Sequence, residues 1–166
     1  TGVSLRSADV AAQLNPQDGL YTVTERAGTR RDTRLIGAVR EVIVAPRQRE
    51  AVLARLAAPA THIASLTITE KGYCRAADGS LDPALADEAS ALSLIAQGLR
   101  QRHDAGRGGV TLLSCDNLAD NGSQLERLMG EYLSRHDPGL LAWFARECAC
   151  PSTMVDRIVP ATTAQD

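Results

Sequence analysis

The densest run of reactive side chains in the sequence is Ser114-Cys115-Asp116-Asn117-Leu118-Ala119-Asp120-Asn121-Gly122. It combines a thiol, carboxylates and amides. An amide such as that of Asn117 can donate to an oxygen that gains negative charge. A carboxylate such as Asp116 can orient reacting groups, or it can accept from backbone amides and cap the next helix. Cys115 as a nucleophile needs a base, and none of His62, His103 and His136 is positioned by sequence to serve it. A small core residue is the commoner role for such a cysteine.

The flanking residues say how this run is held. Gly109-Val110-Thr111-Leu112-Leu113 is short, apolar and partly β-branched, as a buried strand is. Ser123-Gln124-Leu125-Glu126-Arg127-Leu128-Met129 has apolar residues at helical spacing. The polar run is therefore a turn between strand and helix. In a parallel α/β sheet such turns lie at the carboxyl ends of strands, where ligands bind.

The run Ser114–Gly122 resembles the signature of the long-chain mannitol dehydrogenase family. That family includes mannitol 2-dehydrogenase, fructuronate reductase and related polyol and sugar-acid enzymes. Two further stretches resemble family signatures and follow the family's order. They are Ser65-Leu66-Thr67-Ile68-Thr69-Glu70-Lys71-Gly72-Tyr73-Cys74 and Pro151-Ser152-Thr153-Met154-Val155-Asp156-Arg157-Ile158-Val159-Pro160. The last is slightly more similar to fructuronate reductases than to mannitol dehydrogenases.

The resemblance implies hydride transfer between a secondary alcohol carbon and a nicotinamide ring, without a metal. It implies that Asn117 is one of two asparagines that stabilise the alkoxide-like oxygen, a task suited to neutral donors in a dry site. It places Asp156 and Arg157 near the substrate or the nicotinamide ribose. Adjacent helical residues do not face each other, so these two should have separate partners, and structural ion pairing is the plainer role. Asp116, Thr67, Thr69, Glu70 and Lys71 are expected along the cofactor. Lys71 either contacts a phosphate or is a solvated surface lysine. Arg6 and Asp9 follow the opening strand, where an acid accepts from adenosine ribose hydroxyls and an arginine accommodates a 2′-phosphate. NAD is the expected cofactor and NADP the alternative.

Bulk properties bound the remaining classes. The 166 residues suit one domain with a real core. A net charge of −2 offers no electrostatic case for nucleic acid or an anionic membrane. No apolar run approaches the ~20 residues of a membrane span. Four cysteines are few for a disulfide framework, and Cys148-Ala149-Cys150 lacks zinc-ligand spacing. Reduced thiols in a cytoplasm are the expectation, with no metal site.

Taken in order, Thr1–Arg6 reads as the tail of a strand, and Ser7 as the cap of a short helix to Leu14. Asn15-Pro16-Gln17-Asp18-Gly19 breaks the chain. Segments 20–25 and 34–42 suggest an antiparallel pair separated by the charged stretch 27–32. Pro46 starts a helix to about Ala57. The strongest strand pattern is His62–Thr69. Helices are predicted from about Pro83 to His103, from the signature turn to about Ser134, over Asp137–Glu147, and from Pro151. The alternation points to an α/β fold with a mostly parallel sheet covered by helices and an inserted antiparallel pair, and the family resemblance implies that this is a Rossmann-like dinucleotide-binding domain.

No G-x-G-x-x-G occurs in the sequence. The resemblance therefore implies a first strand and glycine-rich loop before Thr1. It also implies a helical substrate domain after Asp166, with a catalytic lysine in a Lys-x4-Asn-x2-His pattern. Residues 1–166 are then a partial domain, inactive alone, and that helical domain is its expected partner. A sugar acid or polyol is the expected substrate. The reading from another class is a nucleotide-binding or interaction module with no catalysis of its own.

Overall fold

The computed structural model describes residues 1–155. Its parallel strands come in two pairs. Strands β1 (Gly2–Ser4) and β4 (Val42–Val44) pair with Val3 opposite Ile43. Strands β5 (Ile63–Leu66) and β6 (Thr111–Ser114) pair with Ala64 opposite Leu112. Beyond β6 the pairing continues as a parallel bridge between Thr111 and Ala149. β1 and β5 are not hydrogen-bonded to each other.

Between β1 and β4 run helix α1 (Asp9–Leu14), a short 3-10 turn (Asn15–Gln17) and a hairpin of β2 (Tyr21–Ala27) and β3 (Arg30–Ile36). The expected antiparallel pair is present, with different bounds. The turn is only Gly28-Thr29, with Gly28 at φ 61°, so Arg30, Arg31 and Asp32 lie in a strand. The expected second strand ends at Ile36, and Val42 belongs to β4. The hairpin packs chiefly against itself and is exposed almost throughout. The Asn15 side chain then braces β4. It donates to the Val42 carbonyl at 2.9 Å and accepts from the Val42 N–H at 2.8 Å.

The main core gathers around helix α4 (Ala91–Asp104), between α2 (Arg49–Ala57), α5 (Asn121–His136) and α6 (Pro138–Glu147). Leu92, Leu99, Leu112, Leu125, Leu128, Leu133 and Leu140 are fully buried there. Gly98 lets α4 approach α2, because a Cβ at that position would lie 2.6 Å from Leu56 Cβ. The helix expected from Pro83 begins only at Ala91. Residues before it are captured by local side chains: Asp82 accepts from the Ala84 N–H and Asp87 from the Ala89 N–H, each at 2.9 Å. Such aspartate turns compete with helix. Ser90 then caps α4 by accepting from the Ser93 N–H. Helix α2 likewise starts at Arg49, later than Pro46, and residues 151–155 are not helical. Among the described residues no helix is long and apolar enough to cross a membrane. All four cysteines are free thiols.

Arg102 joins three segments behind the sheet. It is 3% exposed, and its guanidinium donates to the carbonyls of Leu56 (3.1 Å), Ala58 (2.7 Å), Gly108 (2.8 Å) and Gly109 (3.3 Å). Burial pushes its pKa below the ordinary arginine value. The carbonyl end of α2 offsets the charge, as a helix carboxyl terminus does for a cation. Removing it strands several acceptors, each costing ~1–3 kcal/mol when buried and unpaired. Arg102→Ala should therefore lower stability in urea unfolding by about 3 kcal/mol or more. A loss below ~1 kcal/mol would show that water replaces the guanidinium freely.

Candidate active site at the ends of β5 and β6

Asp116 ties two strand ends together. Its Oδ2 accepts from the Ile68 N–H at 3.0 Å and from the Tyr73 hydroxyl at 2.8 Å, and its Oδ1 accepts from the Thr69 N–H at 3.1 Å. This pulls the chain out of β5 after Leu66 and into the short turn α3 (Thr69–Gly72). The strand expected to reach Thr69 stops early for that reason. Thr69 takes φ 61°, a left-handed conformation uncommon for a β-branched residue. Asp116 thus holds backbone amides, which is one of the two roles weighed for it.

The Tyr73 hydroxyl has one hydrogen, which goes to Asp116, so the buried Ser114 hydroxyl donates to Tyr73 at 2.6 Å. Burial first, and then the Asp116 carboxylate, hold the Tyr73 phenol well above its ordinary pKa. It stays a protonated donor at any physiological pH.

On the other side of the turn sits Asn121, 1% exposed. Its amide nitrogen donates to the Asp116 carbonyl (3.1 Å) and to the Thr153 hydroxyl (2.9 Å) and carbonyl (3.2 Å). Its oxygen accepts from the Thr153 N–H at 2.9 Å. The Thr153 hydroxyl donates onward to the Ser114 carbonyl at 2.6 Å. Gly122 allows this closeness, because a Cβ there would lie 2.4 Å from the Cys150 carbonyl oxygen. Segment 150–153 is thus bound edge-on to the turn.

Asn117 lies between these two clamps. It is exposed, and its amide has no hydrogen-bond partner among the described residues. Cys115 is half-buried, with only a long contact to the Leu113 carbonyl. No histidine serves it: His103 lies edge-on to Trp143, and His136 stacks on Tyr132 at 4.3 Å. His62 is exposed on the residue before β5, at that strand's amino end.

Thr67, Thr69, Glu70 and Lys71 are exposed beside this turn, brought there by Asp116. Arg6 and Asp9 are exposed at the carboxyl end of β1, in the other strand pair. Ser7 fixes that corner by accepting from the Asp9 N–H at 2.9 Å. Asp156 and Arg157 lie outside the described residues. Among the described residues no three His, Cys, Asp or Glu side chains converge to hold a metal ion. Tyr73, Ser114, Asn121 and Thr153 gain their roles only here. No spacing in the sequence links Tyr73 to Ser114 or Asn121 to Thr153.

Asn121→Ala should destabilise the protein by about 2–4 kcal/mol in urea unfolding, since it leaves buried partners unpaired. Asn121→Asp should also destabilise, because the Asp116 and Thr153 carbonyls need a donor. Wild-type stability in both variants would refute the clamp.

Comparison with known proteins agrees with this fold. The model of the mannitol dehydrogenase Rossmann domain matches residues 1–166. Mannitol 2-dehydrogenase of Pyricularia oryzae is 36% identical over 180 aligned residues, which take in 99% of this chain and 36% of the relative. Polyol:NADP oxidoreductase of Gluconobacter oxydans is 37% identical, over 96% of this chain and 36% of the relative. Among solved structures, D-sorbitol dehydrogenase in substrate-free form superposes with a TM-score of 0.92 at 34% identity, covering 99% of this chain and 37% of that one. Mannitol 2-dehydrogenase of Pseudomonas fluorescens, in a ternary complex with NAD and D-mannitol, gives 0.89 at 34% identity, over 99% and 36% of the two chains. This chain spans little more than a third of the length of these relatives. With the family model matched along its whole length, the chain belongs to the mannitol dehydrogenase family and is its Rossmann domain.

Proposed function

We propose that this domain is the cofactor-binding part of an NAD-dependent oxidoreductase that interconverts a sugar acid or polyol and its keto form. The observation that carries the reading is the free Asn117 amide, held at the end of β6 by the Asp116 and Asn121 clamps. The clamps fix the turn that carries this donor, and once substrate and cofactor exclude water from it, a donor so placed stabilises charge that develops on a substrate oxygen.

The residues present fit a dinucleotide. The carboxyl ends of β1 and β5 carry exposed groups of the right chemistry: Asp9 for ribose hydroxyls, and Thr67 and Thr69 for ribose or phosphate oxygens. The bound nicotinamide supplies the hydride acceptor. NAD is favoured over NADP because Asp9 stands in the first turn after β1, while Arg6 is the feature that suits a 2′-phosphate. One relative is named for NADP and one solved relative holds NAD.

The two parallel pairs leave β1 and β5 each with an unpaired edge. Val3 and Ile63 on those strands are 43% and 61% exposed. In the proposed whole enzyme a further strand pairs with these edges and brings the glycine-rich loop to the pyrophosphate. A helical domain supplies the lysine base and the second asparagine. The domain alone is then inactive. Among substrates, fructuronate and mannonate are favoured over fructose and mannitol by the residues Pro151–Pro160. A cytoplasmic location fits the free thiols.

In the full-length enzyme, Asn117→Ala should lower kcat by roughly 10²-fold or more, as loss of one oxyanion donor does, while the variant still binds NADH. Unchanged turnover would remove Asn117 from the reaction.

A further inference from the structure

A depression opens beside the turn α3, lined by Glu70, Lys71, Arg75, Ala76, Ala77 and Leu85. It lies just past the residues that Asp116 holds, since the Thr69 N–H is one of that carboxylate's donors. Two cations face it against one carboxylate, and the rest of the wall is apolar.

Neither cation is neutralised well. Lys71 is the chain's single lysine, exposed, with no ion pair among the described residues. Arg75 is half-buried, and its one ion pair is long, with Nη1 3.7 Å from Glu70 Oε1. The Glu70 side chain is itself 71% exposed, so the pair is screened. Arg75 Nε is buried with no acceptor. Such an orphan donor is uncommon in a folded protein and calls for an explanation. The guanidinium rests on Gly79, where a Cβ would lie 3.5 Å from Nη2 and where φ is 91°. Arg127 reaches the same point at 3.8 Å but is satisfied by Glu131 at 2.7 Å and by the Gly79 carbonyl at 2.5 Å. It adds positive potential without supplying the acceptor that Arg75 lacks.

We propose that Lys71 and Arg75 form an oxyanion pocket that receives the carboxylate of a sugar-acid substrate. An arginine fork matches a carboxylate in two parallel hydrogen bonds, and a lysine beside it adds a point charge. The side chains of Ala76, Ala77 and Leu85 offer no acceptor of their own, so the two cations are the groups on this wall that a carboxylate can pair with. A neutral polyol has no group for this pocket, so the pocket selects acids over polyols. A cofactor phosphate has the same chemistry and is the other source. The inference rests on the oxidoreductase reading and names its substrate class.

The test uses the full-length enzyme, Arg75→Met, Arg75→Lys and Lys71→Met, each checked by thermal unfolding. NADH oxidation is followed with D-fructuronate and with D-fructose, and D-mannonate binding by calorimetry. Arg75→Met should raise KM for D-fructuronate and Kd for D-mannonate about tenfold or more, leaving KM for NADH unchanged, with partial recovery in Arg75→Lys. Lys71→Met should shift the same constants in the same direction. A rise confined to KM for NADH assigns the pocket to a cofactor phosphate and overturns the proposal. No change in any constant overturns the pocket. Arg75-dependent D-mannonate binding without turnover of either sugar leaves the pocket standing and sinks the oxidoreductase reading. Turnover of D-fructose with no D-mannonate binding sinks the pocket alone.

Discussion

The Asp116 carboxylate is the interaction on which the site depends. β5 and β6 are adjacent parallel strands, and their hydrogen bonds end where the Cys115 N–H donates to the Leu66 carbonyl at 2.8 Å. Past that point two chains would diverge into solvent with unpaired amides. Asp116 prevents this by accepting from Ile68, Thr69 and Tyr73 at once. A carboxylate accepting several hydrogen bonds is well suited to this, because each bond to an ionised acceptor is stronger than its neutral counterpart. One side chain thus sets the direction of both loops.

The consequences spread outward from that carboxylate. Thr69 is driven into a left-handed conformation, which starts α3 and presents Glu70 and Lys71. Tyr73, buried and kept protonated, links Asp116 to Ser114 and seals the floor of the turn. On the far side Asn121 holds the Asp116 carbonyl and segment 153 together. Asn117 is what remains between these clamps: its neighbours Asp116 and Asn121 are bound, and its own side-chain amide has no partner among the described residues. Strain and polar burial are concentrated here, where a functional site can use them.

Much of this was legible in the sequence. The order of strand, polar turn and helix around Asn117 is as the apolar spacing predicts, and so are the parallel pairing and the antiparallel insertion. Element bounds were less legible, for local reasons. Asp82, Asp87 and Ser90 capture backbone amides and delay α4, although residues 85–95 carry helical apolar spacing. The β5 pattern runs on to Thr69, but a carboxylate 47 positions away ends the strand. The Ser114 and Asp116 partners of Tyr73 and the Thr153 partner of Asn121 lie about 30 to 45 positions distant, and no periodicity carries such information. Likewise Arg75 is an ordinary arginine in the sequence, and only its unpaired Nε distinguishes it.

The central claim is geometric: Asn117 is held free so that its amide meets the oxygen on which charge develops. The most direct measurement is a crystal structure of the full-length protein with NAD and D-mannonate. The account predicts Asn117 Nδ2 about 2.7–3.1 Å from the oxygen of the reacting secondary alcohol. It also predicts that the Asp116 bonds to Ile68, Thr69 and Tyr73 are intact. An Asn117 amide turned to solvent, with another group on that oxygen, would contradict it.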